Sequence, residues 1–347
     1  MRKPRVTSIG AGYYHVYSRL AGGRFLLTDP EKSCLLGYIR RAAMFSGVTL
    51  FTFGIMDNHF HLLIHVEAPR HVPDEELRTK VACLYGADKA DKVFSKWKVW
   101  EDAGRSCEVE KDKDRYRARM FDLSQFVKTF KESFTKEYNK RNEFVNSPWG
   151  SRFESVLIED AAAALLRVAA YIDLNPVRAG VVKNPAATPW TGFGATMHND
   201  LDARDGLVSL FIHAYGVGKV KWDEAIGAYE SVLDGKIEAD FAIYAEKRPE
   251  RKAGDSHFDV GKVKAAIAEG RRLSDFELLR CRVKFFTAGG VLGSSNFIQR
   301  LKTSIDSEDL APHTLDAYSK SGLCIGRRIR RKGIVSIPLP PDAKQAS

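Results

Sequence analysis

Two runs of β-forming residues, Val48 to Met56 and His59 to Glu67, are separated only by Asp57-Asn58. A gap that short, filled by turn-forming residues, joins antiparallel neighbours. The chain is therefore committed to a hairpin, and the patterns around it say what the hairpin packs with. Tyr13 to Leu20 alternates and is rich in β-formers, so it reads as a strand. Asp29-Pro30 opens a helix that runs to about Phe45, with Leu35, Leu36, Ile39 and Ala43 on one side. Further on, Asp122 stands as an N-cap with Gln125 at the capping-box position. Phe126, Phe130, Phe134 and Tyr138 then recur at every fourth residue, a helix whose aromatic stripe reads as packing. Its polar side carries Lys128, Lys131, Lys136 and Lys140. Phe153 to Ile158 is a short strand, and Asp160 is placed to cap a helix from about Ala161. A βαββαβ order with an added helix implies a ferredoxin-like α+β fold: an antiparallel sheet with helices on one face.

The rest of the chain departs from that rhythm. Residues 68–121 are charged, with only short apolar clusters, and read as a partly helical insertion within a first domain spanning 1–198. Residues 199–319 read as a mostly helical second domain. Within it, the glycine-rich GGVLGSS ahead of Phe297, Leu301 and Ile305 is compatible with the turn of a helix-turn-helix. Residues 320–347 form a basic tail, running into the disorder-like IPLPPDAKQAS. The tail carries +6 of a net charge of +10, most of it in Arg327, Arg328, Arg330, Arg331 and Lys332. A strip of this kind reads either as a solvated tail or as a grip on a phosphate backbone. No apolar run approaches the roughly 20 residues that span a bilayer, and the basic start lacks the apolar core of a secretory signal. Five scattered cysteines without a CxxC fit reduced thiols and argue against a zinc ribbon. These features point to a cytoplasmic, nucleoid-associated protein with no membrane partner.

Two short motifs carry chemistry. In the second hairpin strand, His59 and His61 share a face, about 7 Å apart along the chain, while Phe60 points the other way. Two imidazoles so placed can grip one divalent metal or simply face solvent. His65 shares the face but lies two more repeats along, too far to be assumed a ligand. In the helix ending AAYIDLNPVRAG, Tyr171 and Asn175 fall about 40° apart at the edge of an apolar stripe of Leu165, Val168, Ala169 and Ile172. The helix should stop near Asn175 because Pro176 follows. On spacing alone Tyr171 also suits a core-edge tyrosine.

MDNHFHLLIHV resembles the His-hydrophobe-His strand of the HUH single-tyrosine transposases. YIDLNPVRAGVV resembles the tyrosine-bearing helix of their REP-associated branch, the REP-associated tyrosine transposases. YYHVYSR and WGSRFESVLIED are similar to that branch too, so the resemblance covers roughly residues 10–192 apart from the insertion. It implies that His59 and His61 hold Mg²⁺ or Mn²⁺, with Asn175 as third ligand. It implies that Tyr171 attacks a DNA phosphodiester and retains the 5′-phosphate as a phosphotyrosine, releasing a 3′-OH. The implied partner is single-stranded or hairpin DNA, bound by a monomer or a homodimer. Trp149, Arg152, Arg178, Lys128 and Lys131 are the expected DNA contacts, with the Arg327 to Lys332 strip beside them.

Other classes fit less well. A histidine-triad hydrolase needs a third alternating His where Leu63 stands. Gly216-Val217-Gly218-Lys219 lacks the spacing and the following Ser or Thr of a P-loop. His15, His71 and His198 show no ligand-like spacing for a zinc hydrolase. The remaining alternative is a non-catalytic DNA-hairpin binder or regulator that keeps the fold.

Overall fold

The computed structural model describes residues 5–23, 26–234, 279, 285–288, 290–305, 312–313, 323–326 and 334–337. The fold is a mixed α+β one. Its centre is a sheet in which β3 (Val48–Met56) and β4 (His59–Val66) form the expected hairpin, with β2 (Gly12–Arg19) beside β4 and β5 (Glu154–Ile158) beside β2. All three of these pairings are antiparallel. Helix α1 (Asp29–Ser46) connects β2 to β3, and α5 (Leu123–Asn142) leads back to β5. Their apolar sides pack on one face of the sheet: Leu35 and Ile39 of α1, with Phe126, Phe130 and Phe134 of α5, meet Val16, Phe60, Leu62 and Ile64. The Asp122 carboxylate accepts from the Gln125 N–H at 2.7 Å, which starts α5 where the capping pattern puts it.

Helices cover both faces, not one. The reason lies in the strands: every residue of β2 from Gly12 to Ser18 is buried, so neither side of the sheet can be left to solvent. The second face takes α6 (Ala162–Asp173), α9 (Leu201–Tyr215) and α10 (Trp222–Leu233), which share a core with Tyr13, Tyr17, Leu63 and Val156. Helix α6 lies between sheet and outer helices and is buried all round from Ala164 to Asp173, rather than along a stripe. Its N-cap is Ala161, without a side-chain capping bond, so Asp160 does not cap it. The chain breaks at Leu174, and a four-residue turn of helix, α7 (Asn175–Arg178), follows with Pro176 in its first turn.

Described residues beyond 198 share these cores. Besides α9 and α10, the strand β6 (Val291–Ser294) adds to the sheet parallel to β5, then β8 (Leu323–Gly326) and β7 (Pro312–His313) extend it. The segment expected to turn between two helices is thus β6, flanked by the short α11 (Phe285–Ala288) and by α12 (Ser295–Ile305). A strand in that position is not a helix-turn-helix. The first strand, β1 (Arg5–Ser8), pairs in parallel with β9 (Ile334–Ile337). Among the described residues no helix is long and apolar enough to cross a membrane.

The 68–121 insertion is three helices, α2 (Asp74–Tyr85), α3 (Ala87–Asp102) and α4 (Ser106–Arg117). They enclose a core of their own around Trp97, which also takes in Phe45 of α1. Trp97 is fully buried, and its indole N–H donates to Asp112 at 2.7 Å. Trp97→Ala should therefore cost about 3–5 kcal/mol. Hydrogen exchange should place that loss in α2 to α4 while the amides of β2 to β4 stay protected.

Candidate active site

The sheet register brings the site together. Arg19 and Tyr17 of β2 stand opposite His59 and His61 of β4, and His15 stands opposite Leu63. His15, His59 and His61 all face α6. The His59 and His61 rings lie 5.1 Å apart and nearly perpendicular. Tyr171 presents its ring edge-on to both His61, at 6.1 Å, and His15, at 5.9 Å. Asn175, at the start of α7, reaches His59 with 3.3 Å between the amide nitrogen and Nε2. The two motifs singled out in the sequence, over a hundred residues apart, thus meet at one place.

Hydrogen bonds define the protonation of these imidazoles. A backbone carbonyl only accepts, so the 2.9 Å contact between His15 Nδ1 and the Phe286 carbonyl puts the proton on His15 Nδ1. His15 Nε2 must then accept, and the 2.9 Å contact to His61 Nδ1 makes that atom the donor. His61 is left with a lone pair on Nε2. His59 Nδ1 sits 2.6 Å from the Asn58 side-chain oxygen, whose amide nitrogen faces the Gly23 carbonyl. His59 therefore also keeps its lone pair on Nε2. Burial keeps all three rings neutral. His15 is pushed down to about 4 chiefly by burial. His59 is lowered to about 4 by burial, then by the charges of Arg19 and Arg178. His61 lies well below its ordinary value because it is buried and has two imidazoles beside it. Sequence spacing gave no reason to connect His15 with this pair; only the β2–β4 register does.

Tyr171 is 8 % exposed. Phe286 packs on its ring at 4.5 Å, and the Arg178 guanidinium lies over it at 3.9 Å. Arg178 also donates to the Tyr171 carbonyl at 2.6 Å and to the Leu279 carbonyl at 2.8 Å. The arginine expected on DNA is therefore placed on the tyrosine itself. His65, further along β4, packs instead against His213 of α9 and Tyr13, well away from the His59–His61 pair.

Asp173, two residues after the tyrosine, is fully buried. Its carboxylate accepts from the Thr52 hydroxyl at 3.0 Å, the Phe193 N–H at 2.9 Å and the Tyr229 hydroxyl. Thr52 reaches it because a β-bulge between Leu50 and Thr52 shifts the β3 register. The carboxylate thus ties the end of α6 to β3, to α8 (Gly192–Met197) and to α10.

The remaining expected contacts gather elsewhere. Lys128, Lys131, Trp149 and Arg152 line a cavity of about 870 Å³ between α5 and the 147–153 segment, joined by Lys136. This groove lies on the α5 side, across the sheet from Tyr171. Lys131 is the most enclosed of the set: burial lowers it to about 8, and it donates to Ser18 at 2.9 Å. It also lies 4.5 Å over the Trp149 ring, whose N–H donates to Thr135 at 3.0 Å. Lys128 and Arg152 are exposed. Arg327, Arg328, Arg330, Arg331 and Lys332 lie outside the described residues.

No family model matches the sequence. No curated protein matches it either. Among solved structures the chain is similar to one described as a REP-associated tyrosine transposase bound to a REP hairpin, at 17% identity and a TM-score of 0.36. The match covers 58% of this chain and 86% of that one. A likeness this loose carries no conclusion, and the residues themselves decide the reading.

Burial raises Asp173 to about 6. A carboxyl raised in the folded state holds more protons there than when unfolded, so stability falls as pH rises from about 4 through about 6. Urea midpoints across that range should show the wild type losing up to about 2–3 kcal/mol relative to Asp173→Asn. At neutral pH, Asp173→Ala should cost about 3 kcal/mol or more by leaving buried donors without an acceptor.

Proposed function

We propose that this chain is a single-tyrosine DNA strand transferase of the HUH class, built on the ferredoxin-like βαββαβ arrangement and acting on single-stranded or hairpin DNA. One observation carries the reading: two buried imidazoles, an amide and a phenol converge from β4, α7 and α6. A site serving only to pack a core has no use for that convergence of donors.

Tyr171 is the proposed nucleophile. Its phenolic oxygen forms a bond to phosphorus, and the bond from phosphorus to the 3′ oxygen breaks. The 5′ side stays on the protein as a phosphotyrosine, and the departing oxygen takes up a proton to become a 3′-OH, balancing the proton lost by the phenol. The bond energy is conserved, so the step can be reversed onto another strand without ATP. His59, His61 and Asn175 are the proposed holders of a divalent ion. Among the described residues no group of three or more His, Cys, Asp or Glu side chains is arranged to hold a metal, so no carboxylate joins them. Two imidazoles and an amide suit Mn²⁺ better than Mg²⁺, which favours hard oxygen donors. When bound, the ion supplies charge stabilisation at the scissile phosphate. Arg178, stacked on the tyrosine, holds the ring and adds positive charge beside it.

The groove carrying Lys128, Lys131, Lys136 and Arg152 is the proposed seat of the DNA backbone. Its end of the sheet is the end where His59 begins β4, since Gly150 bonds to the Arg19 carbonyl at 3.1 Å and Arg19 stands opposite His59. A second reading, a hairpin-binding regulator that does not cut, draws support from the enclosure of Tyr171 beneath Phe286 and Arg178.

Incubation with labelled hairpin DNA and Mn²⁺ should give a DNA–protein adduct that survives denaturation, absent from Tyr171→Phe and strongly reduced in His59→Ala. Binding by all three proteins with no adduct in any of them selects the regulator. Lys128→Ala combined with Arg152→Ala should weaken binding and lower the slope of log K against log salt by roughly 0.7–0.9 for each phosphate that is no longer neutralised.

A further inference from the structure

Among the buried polar residues that the proposed chemistry does not use, His15 lies directly against the site. His15 is fully buried in the middle of β2, between the Phe286 carbonyl and His61 Nδ1, at 2.9 Å from each. Both ring nitrogens are satisfied, as burial requires, and an apolar residue in its place would leave His61 Nδ1 without that partner.

We propose that His15 is a positioning residue: it holds His61 in the tautomer that carries its proton on Nδ1, and so keeps the His61 Nε2 lone pair directed into the site. The inference rests on the proposed metal site for its consequence, although the tautomer itself does not depend on a metal. Direction runs along the chain of bonds. The Phe286 carbonyl can only accept, so it fixes His15; His15 Nε2 can then only accept, so it fixes His61. Without His15, the neutral His61 ring is free to exchange its proton between Nδ1 and Nε2, and the population that offers Nε2 falls. Second partners of this kind orient metal-binding imidazoles and raise their basicity. The first link comes from α11, so a segment more than 200 residues away along the chain sets the ligand geometry at His61.

Two variants of the full chain separate this role from simple packing. His15→Phe keeps an aromatic ring in the cavity and removes both hydrogen bonds. His15→Gln restores them, since its amide nitrogen can donate to the Phe286 carbonyl and its oxygen can accept from His61. Long-range ¹H–¹⁵N spectra of the imidazoles, recorded without metal, should show the wild-type His61 protonated on Nδ1 alone. His15→Phe should shift it to a mixture, and His15→Gln should return it to Nδ1. Mn²⁺ titration by calorimetry should show affinity about 10–100-fold weaker in His15→Phe and largely recovered in His15→Gln. A wild-type His61 protonated on Nε2, or a His15→Phe protein with unchanged His61 tautomer, overturns the proposal. Unchanged Mn²⁺ affinity in His15→Phe overturns its consequence for the site. Absence of Mn²⁺ binding in the wild type overturns the metal reading instead, while the metal-free spectra still decide the role of His15.

Discussion

The candidate site depends on a carboxylate that touches none of the side chains gathered there. Asp173 is an ionisable residue in a helix buried all round, and it is tolerated there because three donors from separate elements converge on it. Removing a charge from water is expensive, so the carboxylate works as a geometric constraint. It is satisfied only when β3, α8 and α10 stand in fixed places around the end of α6. Tyr171 lies half a turn before it, and Asn175 follows at the start of α7. A shift of α6 along the sheet would therefore strand a buried charge, and that penalty holds the phenol and the amide in register with β4. Close approach adds to the constraint: a side chain at Gly54 would place its Cβ 3.2 Å from the Ile172 carbonyl, so β3 presents bare backbone where α6 lies nearest.

Burial performs a second task at the histidines. Exposed imidazoles at neutral pH are divided between charged and neutral forms, and only the neutral form ligates. Here desolvation keeps His15, His59 and His61 neutral, and the hydrogen bonds at each Nδ1 decide which nitrogen remains open. The sheet supplies the first effect and the partners Asn58, His15 and Phe286 supply the second.

Much of this was legible in local pattern. The hairpin at 48–66, the start of α1 at Asp29-Pro30, the Asp122 cap and the Phe126–Tyr138 stripe are all set by neighbours within a few residues, where sequence rules have force. The shared face of His59 and His61 follows from strand periodicity for the same reason. The unread parts depend on distance. His15 joins His61 through the β2–β4 register, and Asp173 finds partners at 52, 193 and 229 that no spacing connects. The glycine-rich run at 289–294 looks like a turn by composition, yet Val291–Ser294 becomes a strand because β5 and β8 offer it edges on both sides. The coverage of both faces followed from the near-continuous burial of β2, which its alternating look concealed.

The groove and the tyrosine lie on opposite faces of one sheet, and that restricts how any single ligand can engage both. A straight duplex seated against α5 cannot also reach Tyr171, because β2 and β4 stand between. The two faces communicate around the end of the sheet, where Arg19 leaves β2, His59 enters β4 and the 147–153 segment folds back on Leu20 and Ala21. Under the proposed reading, DNA that occupies both places must change direction there, a stem held by the lysines of α5 and a flexible flank passing the edge towards Tyr171. Single strands bend at such a corner at little energetic cost, whereas a stiff duplex does not. On that proposal the architecture selects a hairpin with a single-stranded flank by its stiffness, before any base is read.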